Sequence, residues 1–358
     1  MLELKIDNSI IRVKEGTTVL EAARMNGINI PSLCYNKDLP HFTSCMVCMV
    51  RDLGSGKYIP SCSATASNNM EIDASGPEVQ KLRKEALSLL LSEHRAECEA
   101  PCTNVCPAGY NIPEINRHLA SKDFGAAYDE IRDSIKEHGF ACESCPAPCE
   151  KACRRKMMDS TISIRQLLIF LHKQNNTGVN IKTFKGLEKV KSFNSVIGRI
   201  EEAEKAEWLK ECVRGKARYT NPASQEEAAD EAASCLHCDC RAKDNCSLRA
   251  YCEEYEIKNP VRLRTGPPIE KKINSKSGLV FENAKCIKCG LCVRISTDST
   301  KNPALCFTGR GFMTLISEPV SYGFDDIGPD NIIKAVEVCP TGALAIDRGL
   351  IVDKRIEI

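Results

Sequence analysis

The N-terminal residues alternate between apolar and polar positions in a pattern typical of two short strands followed by a helix. Leu2–Ile6 and Ile10–Val13 alternate with a period of two and are separated by turn-forming residues, so we predict a β-hairpin. Thr17-Thr18 supplies a cap for a helix over Val19–Arg24, and Asn26-Gly27 supplies its stop. The pattern predicts a small domain of strands and one helix.

Further along the chain, helical patterns replace the alternation. Apolar residues at helical spacing, or runs rich in Glu and Ala, predict helices over residues 79–91, 201–212, 226–235 and 247–255. No stretch approaches the roughly 18 consecutive apolar residues that indicate a membrane span. We therefore predict an α+β multi-domain protein without a membrane span.

Composition narrows the class of protein. The 358 residues include 49 basic and 48 acidic side chains, and a net charge of +1 gives no indication of a nucleic-acid surface. A disulfide framework for the 22 cysteines would be typical of a small secreted chain, but this longer sequence does not open with a signal-peptide pattern. We therefore expect the protein to be in a reducing cytoplasm, where its cysteines stay as thiols that can bind metal.

The cysteines fall into five tight groups, as iron–sulfur clusters require. Neighbouring corners of a small metal–sulfide cluster must be reached from one turn of backbone, so ligands recur at short spacings. Zinc also binds paired C-x-x-C motifs, but the compact triplet Cys286-Ile-Lys-Cys289-Gly-Leu-Cys292 favours iron–sulfur.

The first cysteine group follows the predicted hairpin and helix. It has the spacing C-x10-C-x2-C-x13-C, at Cys34, Cys45, Cys48 and Cys62. Residues 1–78 resemble the N-terminal β-grasp ferredoxin domain shared by the large iron–sulfur subunit of complex I, iron-only hydrogenases and some formate dehydrogenases. The resemblance implies that these four thiolates hold a [2Fe-2S] cluster.

Residues 79–175 resemble the two-cluster helical domain of glutamate synthase small subunits and dihydropyrimidine dehydrogenase. The resemblance rests on Cys102-Thr-Asn-Val-Cys106-Pro and on Cys145-Pro-Ala-Pro-Cys149-Glu-Lys-Ala-Cys153. In that family, each of the two clusters takes ligands from both motifs. This implies one [4Fe-4S] cluster on Cys98, Cys102 and Cys153 and another on Cys106, Cys145 and Cys149.

Each of these sets lacks a fourth ligand. His94 can complete the first, since a His-x3-Cys element in the complex I family supplies a histidine ligand. In the second, Leu168 stands where the family has glutamine or glutamate and cannot bind iron, so Cys142 is the predicted replacement and Gln166 a weaker candidate. An ordinary surface or core role is the alternative for both His94 and Cys142.

Residues 171–225 lack the nucleotide-binding domains that follow this helical region in glutamate synthase small subunits. Such domains need far more residues and a G-x-G-x-x-G turn at each pyrophosphate, whereas the glycines here are isolated. We expect no flavin or nicotinamide site in this chain. Residues 176–225 are predicted to be a helical linker, in which Trp208 packs on a neighbouring domain and Cys212 is an ordinary thiol.

The segment 226–260 resembles the end of glutamate synthase-like flavoproteins, where a Glu- and Ala-rich helix precedes Cys-Leu-x-Cys-Asp. Its compact spacing predicts one [4Fe-4S] cluster on Cys235, Cys238, Cys240 and Cys246. Cys252 is a possible substitute for one of these ligands, and His237 is expected to be structural or solvent-facing. Zinc is an alternative, because the C-x-C element is unusual for a cluster.

The segment 270–358 resembles the two-cluster ferredoxin domain of hydrogenases and complex I with one cluster deleted. Ser296 replaces the fourth cysteine of the first motif, and no second triplet precedes Cys339-Pro. The remaining cluster is a [4Fe-4S] cluster with the predicted ligands Cys286, Cys289, Cys292 and Cys339. Cys306 is a spare, unless it displaces Cys339.

Together these segments predict an electron-transfer subunit with one [2Fe-2S] and four [4Fe-4S] clusters, not catalytic alone. It would belong to a soluble multi-subunit oxidoreductase, with flavin-based bifurcating assemblies as a fitting type. Its expected partners are an NAD(P)H-linked flavoprotein and a redox subunit of hydrogenase, formate dehydrogenase or aldehyde oxidoreductase type. One alternative is a stand-alone iron–sulfur enzyme with an open cluster site. The other is a scaffold protein that is stabilised by bound zinc and clusters and only organises an assembly.

Overall fold

The computed structural model forms two compact units, one of which is built from both ends of the chain. Unit 1 comprises Met1–Arg95 and Asp244–Ile358, and unit 2 comprises Ala96–Lys243. The residues that the structure describes are 1–140, 142–175, 200, 202–211, 218–257, 266–274, 276–297 and 305–346.

The N-terminal part of unit 1 is a five-stranded sheet with two helices. The sheet order is β2-β1-β5-β3-β4, and only the β1–β5 pair is parallel. The elements are β1 (Leu2–Ile6), β2 (Ser9–Val13), α1 (Val19–Met25), β3 (Met49–Asp52), β4 (Tyr58–Pro60), β5 (Met70–Asp73) and α2 (Pro77–Glu93). Inward-facing strand residues such as Leu4 and Ile72 share one core with Leu20 of α1.

This arrangement confirms the predicted hairpin and the predicted helix start. β1 and β2 pair antiparallel. The Thr18 hydroxyl accepts a hydrogen bond from the Glu21 N–H at 3.2 Å, and the Glu21 carboxylate accepts one from the Thr18 N–H at 2.9 Å. This capping box fixes the position at which α1 begins.

The elements that the structure describes in unit 2 are all helical. They are α3 (Pro101–Asn104), α4 (Ile112–Ala120), α5 (Phe124–His138), α6 (Pro148–Ala152), α7 (Ile164–Asn175), α8 (Lys205–Glu211) and α9 (Gln225–Ala232). Leu119, Ile131, Leu171 and Ala228 join α4, α5, α7 and α9 in a common core. Helix α9 ends three residues before Cys235, which therefore lies in a loop.

Part of the predicted linker lies outside the described residues, namely 176–199, 201 and 212–217, which include Cys212. Within the described part, the predicted 201–212 helix is represented by α8. Trp208 is buried there against Ile200 and Leu236 of the same unit. It therefore contributes to packing within unit 2.

The C-terminal part of unit 1 contains a three-stranded antiparallel sheet, β10-β7-β6, and a two-stranded sheet, β8-β9. Its elements are α10 (Ser247–Glu254), β6 (Lys271–Asn274), β7 (Leu279–Glu282), α11 (Leu291–Thr297), β8 (Cys306–Thr308), β9 (Leu315–Ser317), α12 (Pro329–Glu337) and β10 (Leu344–Ile346). Leu33, Val47 and Leu87 from the N-terminal part share a core with Leu248 and Leu291. The two ends of the chain thus form one body.

The boundaries of the units differ from those of two predicted segments. Residues 79–95 belong to unit 1, although 79–175 was expected to be one domain, and segment 226–260 is divided between the units. The packing of α9 on α4 joins residues far apart in sequence, and spacing along the chain does not report such contacts. Among the helices described, none has the length and apolarity needed to cross a bilayer.

Candidate metal centres

The cysteine group nearest the N-terminus, here called the N-terminal site, lies in unit 1 on the loop before β3 and just after β4. Its four buried thiols are Cys34, Cys45, Cys48 and Cys62. Cys34 is hydrogen-bonded to Cys45 and Cys62, and Cys62 is hydrogen-bonded to Cys48. These bonds lower the pKa of Cys34, and the bond with Cys62 lowers the pKa of Cys48 to about 7, although burial opposes the shift. The structure brings together all four predicted [2Fe-2S] ligands.

Residues outside the ligand set hold this loop. The Arg294 guanidinium, on α11, donates to the Cys34 carbonyl at 2.8 Å and to the Pro40 carbonyl. The Ser61 hydroxyl donates to the Cys48 carbonyl at 2.7 Å, and the Thr43 hydroxyl lies 3.6 Å from the Cys62 sulfur. The loop is therefore fixed by contacts to its own strands and to a distant helix of unit 1.

A second group in unit 1, the C-terminal site, surrounds a small cavity between β7, α11 and β9. Its four thiols are Cys286, Cys289, Cys292 and Cys339. Burial raises the pKa of Cys286 and of Cys289 to about 12, so thiolates at this site need a compensating positive charge such as bound iron. Ser296 lies elsewhere on α11, where its hydroxyl donates to the Val293 carbonyl at 2.9 Å.

In unit 2, a small cavity is lined by the four cysteines predicted for the second helical cluster. These residues, here called the loop site, are Cys106, Cys142, Cys145 and Cys149. Leu168 forms part of the wall. The Arg165 guanidinium donates to the carbonyls of Cys142 at 2.8 Å and Glu143 at 2.6 Å, and so fixes the loop that carries Cys142. Burial raises the pKa of Cys142.

The other cavity of unit 2 gathers cysteines from three separate parts of the chain. It is lined by Cys102 of α3, Cys153 after α6, and Cys235 and Cys238 after α9. We call these four residues the split site. Burial raises the pKa of Cys102 well above its ordinary value, so this site too favours neutral thiols unless a positive charge is bound.

The split site differs from both predicted groupings. The family resemblance placed Cys102 and Cys153 with Cys98, with His94 as the fourth ligand, and compact spacing placed Cys235 and Cys238 with Cys240 and Cys246. The structure instead joins one pair from each set. The physical reason is the packing of α9 against α4, which delivers the Cys235–Cys238 loop to the cavity beside α3 and α6.

The remaining predicted ligands of unit 2 are neighbours. The Cys240 N–H donates to the Cys98 carbonyl at 2.8 Å. Asp239 directly precedes Cys240. The Arg117 guanidinium donates to the Asp239 carboxylate at 2.6 Å, and the Lys243 ammonium lies 3.7 Å from the same carboxylate. Cys98 and Cys240 are thus positioned together by backbone and ion-pair contacts.

The remaining predicted ligands and spare cysteines of unit 1 lie on helices and strands. His94 is buried at the C-terminal end of α2, and Cys246 caps α10, with its sulfur 3.4 Å from the Arg249 nitrogen. Cys252 is half-buried within α10, and Cys306 is half-buried in β8. The two predicted sets that contain His94 and Cys246 draw residues from both units.

The cysteines that the structure describes are all thiols rather than disulfides. Across the described ranges, no three or more His, Cys, Asp or Glu side chains are gathered tightly enough to hold a metal ion. The cysteine groups of the C-terminal, loop and split sites instead surround small cavities. Four thiols around a small cavity are the donor set that an iron–sulfur cluster needs.

Three segments of the chain match models of protein families. Residues 1–76 match a 2Fe-2S iron–sulfur cluster binding domain, and residues 78–179 match dihydropyrimidine dehydrogenase domain II with its 4Fe-4S cluster. Residues 279–345 match the ferredoxin-like domain of NADH-quinone oxidoreductase subunit 3. Each model covers less than half of the chain.

Curated relatives share parts of the sequence. A subunit of the NADH-quinone oxidoreductase of Rhizobium meliloti is 36% identical over 98 residues, which are 27% of this chain and 12% of that protein. A putative formate dehydrogenase, YrhE, of Bacillus subtilis is 26% identical over 46% of this chain and 17% of its own length. The gamma chain of the NAD-reducing hydrogenase HoxS of Cupriavidus necator is 31% identical over 27% of this chain and 41% of its own length.

These alignments span well under two thirds of each relative. A crystal structure of an NAD⁺-reducing [NiFe]-hydrogenase in the H₂-reduced state aligns over 100% of this chain and 91% of its own, with a TM-score of 0.48 and 17% identity. That similarity is too low to support an argument. The predicted resemblance is nevertheless confirmed by the family models and curated relatives: the chain joins segments similar to 2Fe-2S and 4Fe-4S domains of NADH-quinone oxidoreductase and hydrogenase subunits and of dihydropyrimidine dehydrogenase.

Proposed function

We propose that this chain is the electron-transfer iron–sulfur subunit of a multi-subunit oxidoreductase, with one [2Fe-2S] and four [4Fe-4S] clusters. The observation that carries the proposal is the gathering of cysteines into four groups of four. The N-terminal site would hold the [2Fe-2S] cluster, and the C-terminal, loop and split sites would each hold a [4Fe-4S] cluster. When bound, such clusters supply one-electron transfer.

The fourth [4Fe-4S] cluster would take Cys98 and Cys240 as ligands. Their adjacency in unit 2 supports this part of the proposal. His94, predicted from its His-x3-Cys spacing to Cys98, and Cys246, predicted from its spacing to Cys240, remain sequence predictions. Cys252 and Cys306 stay outside the proposed ligand sets.

The residues around the proposed ligands would shield them from water and keep them close to one another. Cys34 of the N-terminal site and Cys289 of the C-terminal site share one apolar core in unit 1, and their thiols are near enough to interact electrostatically. Burial of this kind sets the local dielectric and limits solvent access, both of which tune redox centres. The N-terminal and C-terminal sites are therefore proposed to exchange electrons directly.

The proposed partners are an NAD(P)H-linked flavoprotein and a second redox subunit. Support comes from the relatives, whose names include an NADP-reducing hydrogenase subunit, an NAD-reducing hydrogenase subunit and a putative formate dehydrogenase. The sequence has no glycine fingerprint for a nucleotide, so the flavin would be carried by the partner. A reducing cytoplasm and an assembly of the flavin-based bifurcating type are part of the same proposal.

Metal analysis of the anaerobically purified full chain tests this function. We expect about 18 iron atoms per chain, 2 + 16 from the cluster types, with little zinc. NADH or NADPH alone should leave the clusters oxidised, and addition of the co-purifying flavoprotein should allow their reduction. Substantial zinc or much less iron would contradict the electron-transfer role and favour a structural scaffold, whereas substrate turnover by the isolated chain would favour an enzyme.

A further inference from the structure

One polar side chain is buried among apolar neighbours at the split site. Asn116 lies on α4, on the face that buries Ile112, Ile115 and Leu119, and is only 2% exposed. Its side chain lines the same cavity as Cys102, Cys153, Cys235 and Cys238. An apolar residue would fit this helix face equally well, so the amide calls for a specific explanation.

Among the described residues, no acceptor meets both the distance and the angle of a hydrogen bond to the amide nitrogen of Asn116. It lies beside the Cys235 thiol, within reach of a side-chain interaction with the sulfur. A buried N–H group without an acceptor is costly, and few such groups persist in folded proteins without a structural or functional reason. A sulfur acceptor at the split site would satisfy the nitrogen.

The other polar side chains around this cavity are engaged elsewhere. Arg155 pairs with Asp159 at 2.8 Å and donates to the Ser234 carbonyl, and Arg154 lies 3.4 Å from Glu97. Their charges are therefore compensated by carboxylates. Among the described residues that line the cavity, Asn116 is the neutral donor directed at a ligand sulfur.

The loop site provides a comparison within the same unit. Leu168 forms part of its wall, and its one charged lining residue, Arg165, donates to the backbone carbonyls of Cys142 and Glu143. Among the described residues lining that cavity, no Asn or Gln is present. The two sites of unit 2 therefore differ in the hydrogen-bond donors that their side chains offer to sulfur.

We propose that Asn116 donates a hydrogen bond to sulfur at the split site and thereby raises the reduction potential of that site. One-electron reduction adds one negative charge and breaks or forms no bond, and an N–H donor stabilises that added charge. This inference rests on the proposed function and deepens it, because it names a residue that tunes one of the proposed clusters. Asn116 would be a positioning and tuning residue rather than a ligand.

Redox titration of the full chain, followed by electron paramagnetic resonance with dithionite as reductant, tests this role. Asn116→Leu removes the donor with little change in volume. Asn116→Asp keeps the shape, replaces the N–H donor with an acceptor and adds a negative charge when ionised, so the size of the hydrogen-bond effect is taken from Asn116→Leu. In both variants we expect one [4Fe-4S] signal to titrate at a lower potential. Loss of one hydrogen bond corresponds to about a tenfold change in the equilibrium, or about 59 mV for one electron.

Asn175→Leu is the matched control. The Asn175 amide donates to the Leu171 carbonyl at 2.9 Å and is not among the residues lining the split site. This variant should leave every potential unchanged. A purely structural role for Asn116 would reduce iron content without shifting the potential of the clusters that remain, and this result would overturn the proposal.

Two outcomes separate this inference from the proposed function. If Cys235→Ala and Cys238→Ala remove no [4Fe-4S] signal, the assignment of ligands to the split site is wrong, and the inference is lost with it. If they remove one signal, but both Asn116 variants keep that signal at the wild-type potential with full iron content, only the role of Asn116 is overturned. The Asp variant preserves the shape of the packed side chain and so guards against loss of the site in the Leu variant.

Discussion

The N-terminal site and the split site each gather four thiols, but they are assembled in opposite ways. At the N-terminal site, the cysteines lie within residues 34–62, and their thiols are hydrogen-bonded to one another. At the split site, two cysteines come from residues 102–153 and two from the loop after α9. A ligand set on one loop and the adjoining hairpin is held together locally, whereas a set divided among helices exists only once those helices pack.

This difference explains where spacing predicts ligands reliably. Short loops limit the distance between their own cysteines, so the grouping at the N-terminal site follows from the sequence. The Cys235–Cys238 pair has the same short spacing, but spacing does not reveal which other pair it meets. Tertiary packing of α4 with α9 selects Cys102 and Cys153.

The largest expected effect distinguishes the grouping seen in the structure from the grouping predicted from the sequence. Under the structural grouping, Cys153→Ala and Cys235→Ala should each remove the same [4Fe-4S] signal and about four iron atoms, and the double variant should lose no more. The sequence-predicted grouping expects two different signals to disappear and about eight iron atoms to be lost in the double variant. Iron analysis and electron paramagnetic resonance give the result, with Cys252→Ala as a control that should retain all clusters.

A smaller effect is expected from the residue that docks α9. Glu231 is fully buried, and its carboxylate accepts hydrogen bonds from Arg218 at 2.9 Å and from the backbone N–H groups of Ser163 at 2.8 Å and Tyr219 at 2.9 Å. Burial tends to raise the pKa of Glu231, but these hydrogen bonds outweigh it and lower the pKa. The carboxylate is therefore charged at neutral pH and tied to three partners.

Glu231→Gln removes the charge-assisted part of these bonds and should cost about 2 kcal/mol in the free energy of unfolding of unit 2. Thermal unfolding followed by circular dichroism should show a fall of about 5 °C in the helical transition. Iron should be released from the split site before the N-terminal site. The exposed Glu226→Gln, on the same helix, is the control, and an equal loss of stability in both variants would contradict the role of Glu231.

The smallest expected effect tests whether the N-terminal site is held only by residues near its cysteines in sequence or also by a distant helix. Arg294, on α11, donates to the Cys34 and Pro40 carbonyls and stacks over the Phe42 ring at 5.6 Å. Arg294→Met should loosen the loop and make loss of the [2Fe-2S] cluster in air several-fold faster, because loss of about 1 kcal/mol changes a local opening equilibrium about fivefold.

Visible absorbance follows this loss over time. Arg249→Met removes an exposed ion pair with Glu253 in the same unit and should have no effect. An unchanged rate in Arg294→Met would mean that the loop is held by its own strands alone. A faster rate would show that even a local ligand set depends on a distant helix.

Much of the local structure could be predicted from the sequence. The hairpin, the Thr18 cap and the helices α2 and α10 follow from alternation, capping residues and helical periodicity, which act over a few residues. The grouping of Cys106 with Cys145 and Cys149 was also expected, because a family resemblance supplied the crossing pattern, and Cys142 was predicted to join them because Leu168 cannot bind iron. Asn116 was missed, since a single asparagine within a helix has no distinguishing spacing.

The sequence by itself determined that this protein would present groups of closely spaced thiols on small α+β and helical domains, because loop length and local periodicity control those features. Only the tertiary structure decided which groups meet. Helix α9 brings Cys235 and Cys238 to Cys102 and Cys153, and the joining of both chain ends in unit 1 places Arg294 against the Cys34 loop. Both outcomes depend on burying apolar faces that are distant in sequence, and spacing along a chain carries no record of that packing.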